Sequence, residues 1–264
     1  MSVAVVVPMY RRIESLSPNE TCLIKQVEKI FNSRSLFFAS PKSLYNDLRK
    51  HHPFQTICFG DEFFENKLSY SKLLCTMDFY NSFNDFDYIQ IIQTDCWVFE
   101  DRLDHFVSLG FDYVGAPWMK NGFEGKPFPE IWKVGNGGFS LRKIETFLSI
   151  IEAIQKGKKG CIPVFKDLGR GIHKILKNCG FRNNLRHYIK TPPGEDIFWS
   201  IYVPAVFSEK EFRIADHRTA SSYSFEVLPQ FLFGQITCGK LPMGCHAWES
   251  NDPSFWNKYI GLSN

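Results

Sequence analysis

Four short stretches of this chain carry residues whose types and spacing suit chemistry. "DYIQIIQTDCWVFED" (87–101) sets one carboxylate, Asp95, between two apolar runs. A carboxylate at the end of a central strand can hold a divalent cation on a nucleotide's phosphates, or bond the amides of a turn. "VGNGGFSLR" (134–142) packs three glycines into four residues. Such glycines let the backbone approach a ligand closely and reach φ > 0, although a plain turn would also use one or two of them. "PPGEDIFW" (192–199) places Glu195 and Asp196 after a tight turn, at the mouth of an aromatic helix. Either acid would serve as a general base there, or both would simply stabilise the first turn of the helix. "GCHAW" (244–248) holds a lone histidine, His246, among small and apolar residues. It reads as a core histidine or as a ligand.

Alternating elements must position these groups. "SVAVVVPMYRR" reads as a buried strand running into a loop, because a continuous β-branched apolar run suits a strand covered on both faces. An amphipathic helix follows, with Ser17 or Asn19 as its N-cap. "SLFFAS", "FQTICFG" and "DYIQIIQ" are further strands, separated by a short helix in "PKSLYNDLRK" and a helix over "SYSKLLCTMDFYNSF". After Asp95 come a short helix from Asp101, a strand "DYVGAPW", a loop over 119–133 rich in Gly, Pro and Lys, and a helix over 143–156. Strands alternating with helices predict an α/β fold, an open and mostly parallel central sheet with helices on both sides. The polar punctuation falls at strand ends, where such sheets bind ligands. No repeat or linker marks a second domain, so residues 1–264 read as a single domain.

Composition excludes several classes. With 44% apolar residues and 26 Phe among 264, a sizeable core is affordable. No run approaches the roughly 18 apolar residues that span a bilayer, and "VAVVVP" is too short for a signal peptide's apolar region. Eight cysteines without a CxxC or a regular framework read as reduced thiols of a cytoplasmic protein. Between Lys156 and Lys190, ten Lys/Arg stand against Asp167 alone, a local charge of +9 on a chain of net +3, so the remainder carries −6. A basic helical insert at about 156–190 points to an anionic partner or to a merely solvated face. Nucleic acid is not expected, since no recognition motif accompanies the charge.

The order of these pieces resembles the GT-A glycosyltransferases: a strand ending in an acid, a glycine pair, Glu-Asp heading a helix, then a late His. "VAVVVPMY", "IIQTDCWVF", "DYVGAPW", "VGNGGFSLR", "EDIFW" and "GCHAW" are most similar to a poorly characterised glycosyltransferase-like domain family of bacterial polysaccharide and lipopolysaccharide gene neighbourhoods. That resemblance implies a Rossmann-like GT-A domain that moves a sugar, with inversion, from a nucleotide-diphosphate-sugar (a UDP-sugar) to a saccharide or lipid-linked acceptor. It implies Mn²⁺ or Mg²⁺ on Asp95 and His246, although Gln93 stands where the family's first Asp would be. It implies Asp196 as the base and Glu195 as a group that orients sugar or acceptor. Pro8, Tyr10, Arg11, Asp95, Gly137 and Gly138 would bind the donor. Trp118, Trp199 and Trp248 flank the motifs and would stack on the acceptor. A lipid-linked acceptor would bring the 156–190 segment to the inner face of a membrane. Two rival readings are a sugar-nucleotide nucleotidyltransferase, disfavoured because "PMYRRIES" lacks glycine, and a non-catalytic carbohydrate- or nucleotide-binding module.

Overall fold

The computed structural model describes residues 1–51, 53–120, 129–157 and 184–261. Six strands form its main sheet: β1 (Val3–Pro8), β2 (Ser35–Pro41), β3 (Gln55–Phe59), β4 (Tyr88–Ile92), β6 (Tyr113–Val114) and β9 (Phe139–Lys143), in the order β3-β2-β1-β4-β9-β6. The four strands β3, β2, β1 and β4 run parallel, and β9 pairs antiparallel with both β4 and β6. The sheet is therefore open and mostly parallel, as the alternation of elements predicts.

Every residue of β1 is buried, because the sheet is covered on both faces. Side chains alternate along a strand: Ala4 and Val6 face one core, and Val3, Val5 and Val7 face the other. On the first face lie α4 (Met77–Asn81), with Phe79 and Tyr80, and α6 (Ile144–Gln155), with Phe147, Ile150, Ile151 and Ile154. On the second lie α1 (Pro18–Ile30), with Leu23 and Val27, and α5 (Leu103–Ser108), with Phe106 and Val107. Ser17 caps α1 in a capping box with Glu20.

Three expectations are corrected. The helix expected over "SYSKLLCTMDFYNSF" is two helices, α3 (Lys67–Leu73) and α4. Thr76 divides them: its hydroxyl donates to the Leu73 carbonyl at 2.7 Å, closing α3, and accepts from the Phe79 amide at 3.3 Å, capping α4. "DYVGAPW" is likewise split between β6 and β7 (Pro117–Met119), and the expected loop 119–133 ends in β8 (Ile131–Val134), which pairs with β7. The apolar run after Asp95 leaves the main sheet altogether. Its β5 (Trp97–Val98) joins β10 (Ser224–Phe225) and β11 (Gly244–Cys245) in a small sheet of order β10-β11-β5. A helical turn, Tyr45–Leu48, stands where the short helix before β3 was expected; of the basic insert, 158–183 and the helix read within it lie outside the described residues.

Candidate active site

β1 has β2 on one side and β4 on the other, so successive connections leave it in opposite directions. In open α/β sheets the crevice beyond the carboxyl ends of such strands is where ligands bind. A cleft of about 480 Å³ opens there. Pro8 and Tyr10, just after β1, line one part of it; Gln93, Thr94 and Asp95, just after β4, line another. α1 contributes Glu20, α3 and the turn before it contribute Phe64, Glu65, Asn66, Lys67 and Tyr70, and His246 enters from the small sheet.

Asp95 and His246 meet on this wall. His246 Nε2 lies 3.3 Å from Asp95 Oδ1 and 3.3 Å from Gln93 Oε1. Its Nδ1 lies 3.1 Å from Glu226 Oε1 and 2.8 Å from Asn136 Nδ2. β10 and β11 run side by side, so Glu226 and His246 follow neighbouring strand ends. Burial works to lower the His246 pKa, but the Asp95 and Glu226 carboxylates more than offset it and raise it to about 9. Burial likewise works to raise Asp95, and His246 overrides it, holding that carboxyl below the usual range. Backbone strain brackets the pair: Asn136 (φ 74°) and Ala247 (φ 50°) both adopt the left-handed region. For Ala this region costs about 1–3 kcal/mol, which the surrounding structure must offset.

These residues fit a divalent cation. Asp95 Oδ1 is shut off from solvent and faces only His246 Nε2 at 3.3 Å, without a well-formed hydrogen bond, so a cation between them would give both groups a closer partner. Asp95, Cys96 and His246 bring potential ligand atoms within 4.8 Å of one another. The Cys96 thiol is not a suitable donor, because it donates to the Gly138 carbonyl at 3.3 Å and burial pushes its pKa far up. A carboxylate, an imidazole and the Gln93 amide oxygen remain, and the two oxygens suit Mn²⁺ or Mg²⁺. Ligation through Nε2 requires the tautomer with its proton on Nδ1, and Glu226 is placed to accept that proton.

The glycine pair separates two sets of polar side chains. A Cβ on Gly138 would lie 2.2 Å from His246 Nε2, and one on Gly137 would lie 1.6 Å from Glu195 Oε1. Close approach is thus the requirement; the left-handed conformation falls to Asn136 instead. Behind Gly137, Arg142 and Glu195 form an ion pair at 2.9 Å, with the arginine side chain wholly buried. Arg142 also donates to Ser140 Oγ at 3.0 Å and to the Tyr80 hydroxyl at 3.2 Å. Burial lifts the Glu195 carboxyl above its ordinary range although Arg142 pulls it down, and Glu195 Oε2 has no partner. Asp196, half-buried, accepts from the Ile197 amide at 2.8 Å. The positive charge of Lys67 acts on both Asp95 and Glu195.

The remaining sequence candidates divide. Tyr10 is exposed at the cleft, whereas the Arg11 guanidinium is tied to Glu20, whose Oε1 also accepts from Thr94 at 2.9 Å. Trp199 is 0% exposed, its ring 4.2 Å from that of Phe147 and its Nε1 donating to the Leu74 carbonyl. Trp248 is buried in the core between the small sheet and the C-terminal helix. Neither offers a ring face to a sugar, which corrects their reading as acceptor platforms; Trp118 stays partly exposed. Sequence reasoning missed Lys67, Asn136, Glu226 and the pairing of Arg142 with Glu195. Only Arg142 left a signal, a cation next to buried Leu141 in the strand that follows the glycines.

The family model described as "Protein of unknown function (DUF5672)" matches residues 53–246. No curated protein matches the sequence. Among solved structures, the chain is similar to a galactosyltransferase, LgtC, in complex with donor and acceptor sugar analogs (10% identity, 92% of this chain and 86% of that one, TM-score 0.47). It is also similar to mouse xyloside xylosyltransferase 1 in its apo form (10% identity, 93% and 97%, TM-score 0.48). A third is a glycosyltransferase involved in the glycosylation of the major capsid of PBCV-1 (11% identity, 99% of each chain, TM-score 0.45).

Proposed function

Since the chain belongs to the DUF5672 family, whose description carries no activity, we propose from the chain's own site that it is an inverting glycosyltransferase. It takes a sugar from a nucleotide-diphosphate-sugar, a UDP-sugar, and delivers it to a saccharide or lipid-linked acceptor of surface polysaccharide or lipopolysaccharide synthesis. One observation carries the reading: a solvent-shielded Asp95 oxygen and His246 Nε2 face each other at 3.3 Å, without a well-formed hydrogen bond, on the wall of a cleft at the strand ends beyond β1 and β4. The motif order that resembles GT-A enzymes runs through the same residues.

In this reading Pro8 and Tyr10 border the nucleoside, and Arg11 shapes the wall through its bond to Glu20. Lys67 lies where its charge can meet a diphosphate. A divalent cation held by Asp95 and His246 would supply charge that stabilises the diphosphate as a leaving group. Asp196 takes the proton of the acceptor hydroxyl, and Glu195, fixed by Arg142, orients the sugar. A single displacement then inverts the anomeric centre. Among the described residues no helix is long and apolar enough to cross a membrane; in this reading the cations of the sequence stretch 156–190 attract the anionic headgroup of a lipid-linked acceptor.

The experiment is turnover of UDP-sugars by the parent and by Asp196→Asn. The variant keeps shape and donor affinity but loses the proton acceptor, and should lose roughly 10²-fold or more in turnover. Equal turnover would remove Asp196 from its role; greater sensitivity of Glu195→Gln would exchange the two.

A further inference from the structure

The hairpin β7–β8 breaks its own register. Pro117 faces Val134 and Trp118 faces Lys133, but Met119 faces Ile131, so Trp132 is an extra residue without a cross-strand partner. In a regular ladder successive side chains point to opposite faces. Trp132 would then lie on the face opposite to that shared by Lys133 and Trp118. The bulge cancels this alternation, and the two indoles stack with centroids 6.5 Å apart and planes 25° from parallel. Bulges of this kind re-aim a side chain at the expense of ladder pairing and recur beside active sites.

The pair is not spent on the core. Trp132 is 48% exposed, and Trp118 is partly exposed. Trp118 rests on Gly135, where a Cβ would meet its ring at 2.2 Å. The next residues along the chain are Asn136, which touches His246, and Gly137, which abuts Glu195. The platform therefore adjoins the cleft through one short segment. Its rim is polar: Lys120 and Glu130 pair at 3.0 Å across the hairpin, and Lys133 is exposed. An apolar ring face beside hydrogen-bonding groups matches a pyranose, which offers a C–H face and hydroxyl edges.

We propose that Trp118 and Trp132 form a stacking platform for a pyranose ring of a saccharide bound next to the cleft. That this saccharide is the acceptor rests on the proposed glycosyl transfer; saccharide binding itself does not.

The test uses the full chain on a printed array of mono- and oligosaccharides, with UDP thermal shift in Mn²⁺ measured in parallel. The parent should retain a subset of glycans. Trp132→Ala and Trp118→Ala should weaken that retention by about five-fold or more, while Trp132→Phe keeps most of it, since aromatic stacking is worth about that much. The UDP shift should stay at the parent's value in all three. Retention that survives Trp132→Ala unchanged, or a parent that retains no glycan, would overturn the platform. So would a parent dimer that dissociates in Trp132→Ala, which would make the indoles an interface between copies. Glycan retention that needs Trp132 in a protein that no nucleotide or nucleotide-sugar stabilises would uphold the platform and sink the transfer reading.

Discussion

Replacing Arg142 by Met should expose how far the site depends on one buried ion pair. The Arg142 side chain is fully buried and donates to Ser140 Oγ, the Tyr80 hydroxyl and Glu195 Oε1 at 3.0, 3.2 and 2.9 Å. Methionine roughly fills the volume but leaves the Glu195 carboxylate buried and unpaired, a loss of about 3–5 kcal/mol. For 264 residues, at about 2.1 cal/mol/K each, the unfolding entropy is near 0.55 kcal/mol/K, so Tm should fall by about 5–9 °C. Burial already raises the Glu195 pKa, and Arg142 is what opposes it. Without the guanidinium that pKa rises further above its unfolded value. A group raised in the folded state contributes stability below its unfolded pKa and loses it as pH rises through the folded one. The deficit of Arg142→Met should therefore be small near pH 5 and largest near pH 8. The assay is calorimetry of the parent, Arg142→Met and the double variant Arg142→Met/Glu195→Leu. The double variant should recover more than half of the loss, because both charges are gone. An Arg142→Met protein within 1 °C of the parent at pH 8, with 1 °C taken as ~0.5 kcal/mol, would refute the reasoning.

Gly138→Ala places a methyl 2.2 Å from His246 Nε2; the ring must move, so Mn²⁺-dependent stabilisation by UDP should vanish in thermal shift while the unliganded Tm falls by only a few degrees. Glu20 is buried against its own ionisation, yet the bonds from Ser17 and Thr94 and the charge of Arg11 lower its pKa. Its contribution is present above about pH 4.3, the unfolded value, and is lost as pH falls through the depressed folded one. Glu20→Gln should thus be less stable than the parent at pH 7, with the gap closing below pH ~4 in a melting series. Glu226→Gln should weaken Mn²⁺ binding in a titration by roughly 10-fold or more, since the carboxylate on the far imidazole nitrogen orients the ligand; unchanged affinity would leave Glu226 as a packing residue.

The strands were readable because burial on both faces leaves near-continuous apolar runs, unbroken in Val3–Val7 and interrupted only by Gln90 in Tyr88–Ile92. The ends of those strands locate the cleft: a strand end singled out Asp95, and the GT-A resemblance added Pro8 and Tyr10, all of which line it. Contacts made through the second sheet could not. Glu226 follows a two-residue strand, and its meeting with His246 depends on the β10–β11 pairing, which no local pattern announces. The glycine pair was visible, but its cause was not: Gly137 and Gly138 make room for Glu195 and His246. Tryptophan gave opposite errors. Trp199 and Trp248 sit beside motifs yet are core, while exposed Trp132 drew no attention because only a bulge brings it to Trp118. Thr76 shows the same limit in a helix, since one hydroxyl that closes α3 and caps α4 is invisible to periodicity.

The most direct measurement is UDP binding to the full chain followed by thermal unfolding, in Mn²⁺ and in EDTA, with Asp95→Asn and His246→Ala beside the parent. A ligand at a hundred times its Kd stabilises by about 2.7 kcal/mol, which here raises Tm by about 5 °C. The parent should show that rise in Mn²⁺ and little of it in EDTA, and both variants should lose it while melting cooperatively on their own. A parent that UDP does not stabilise in Mn²⁺, or variants that bind as the parent does, would contradict a nucleotide cleft built on Asp95 and His246.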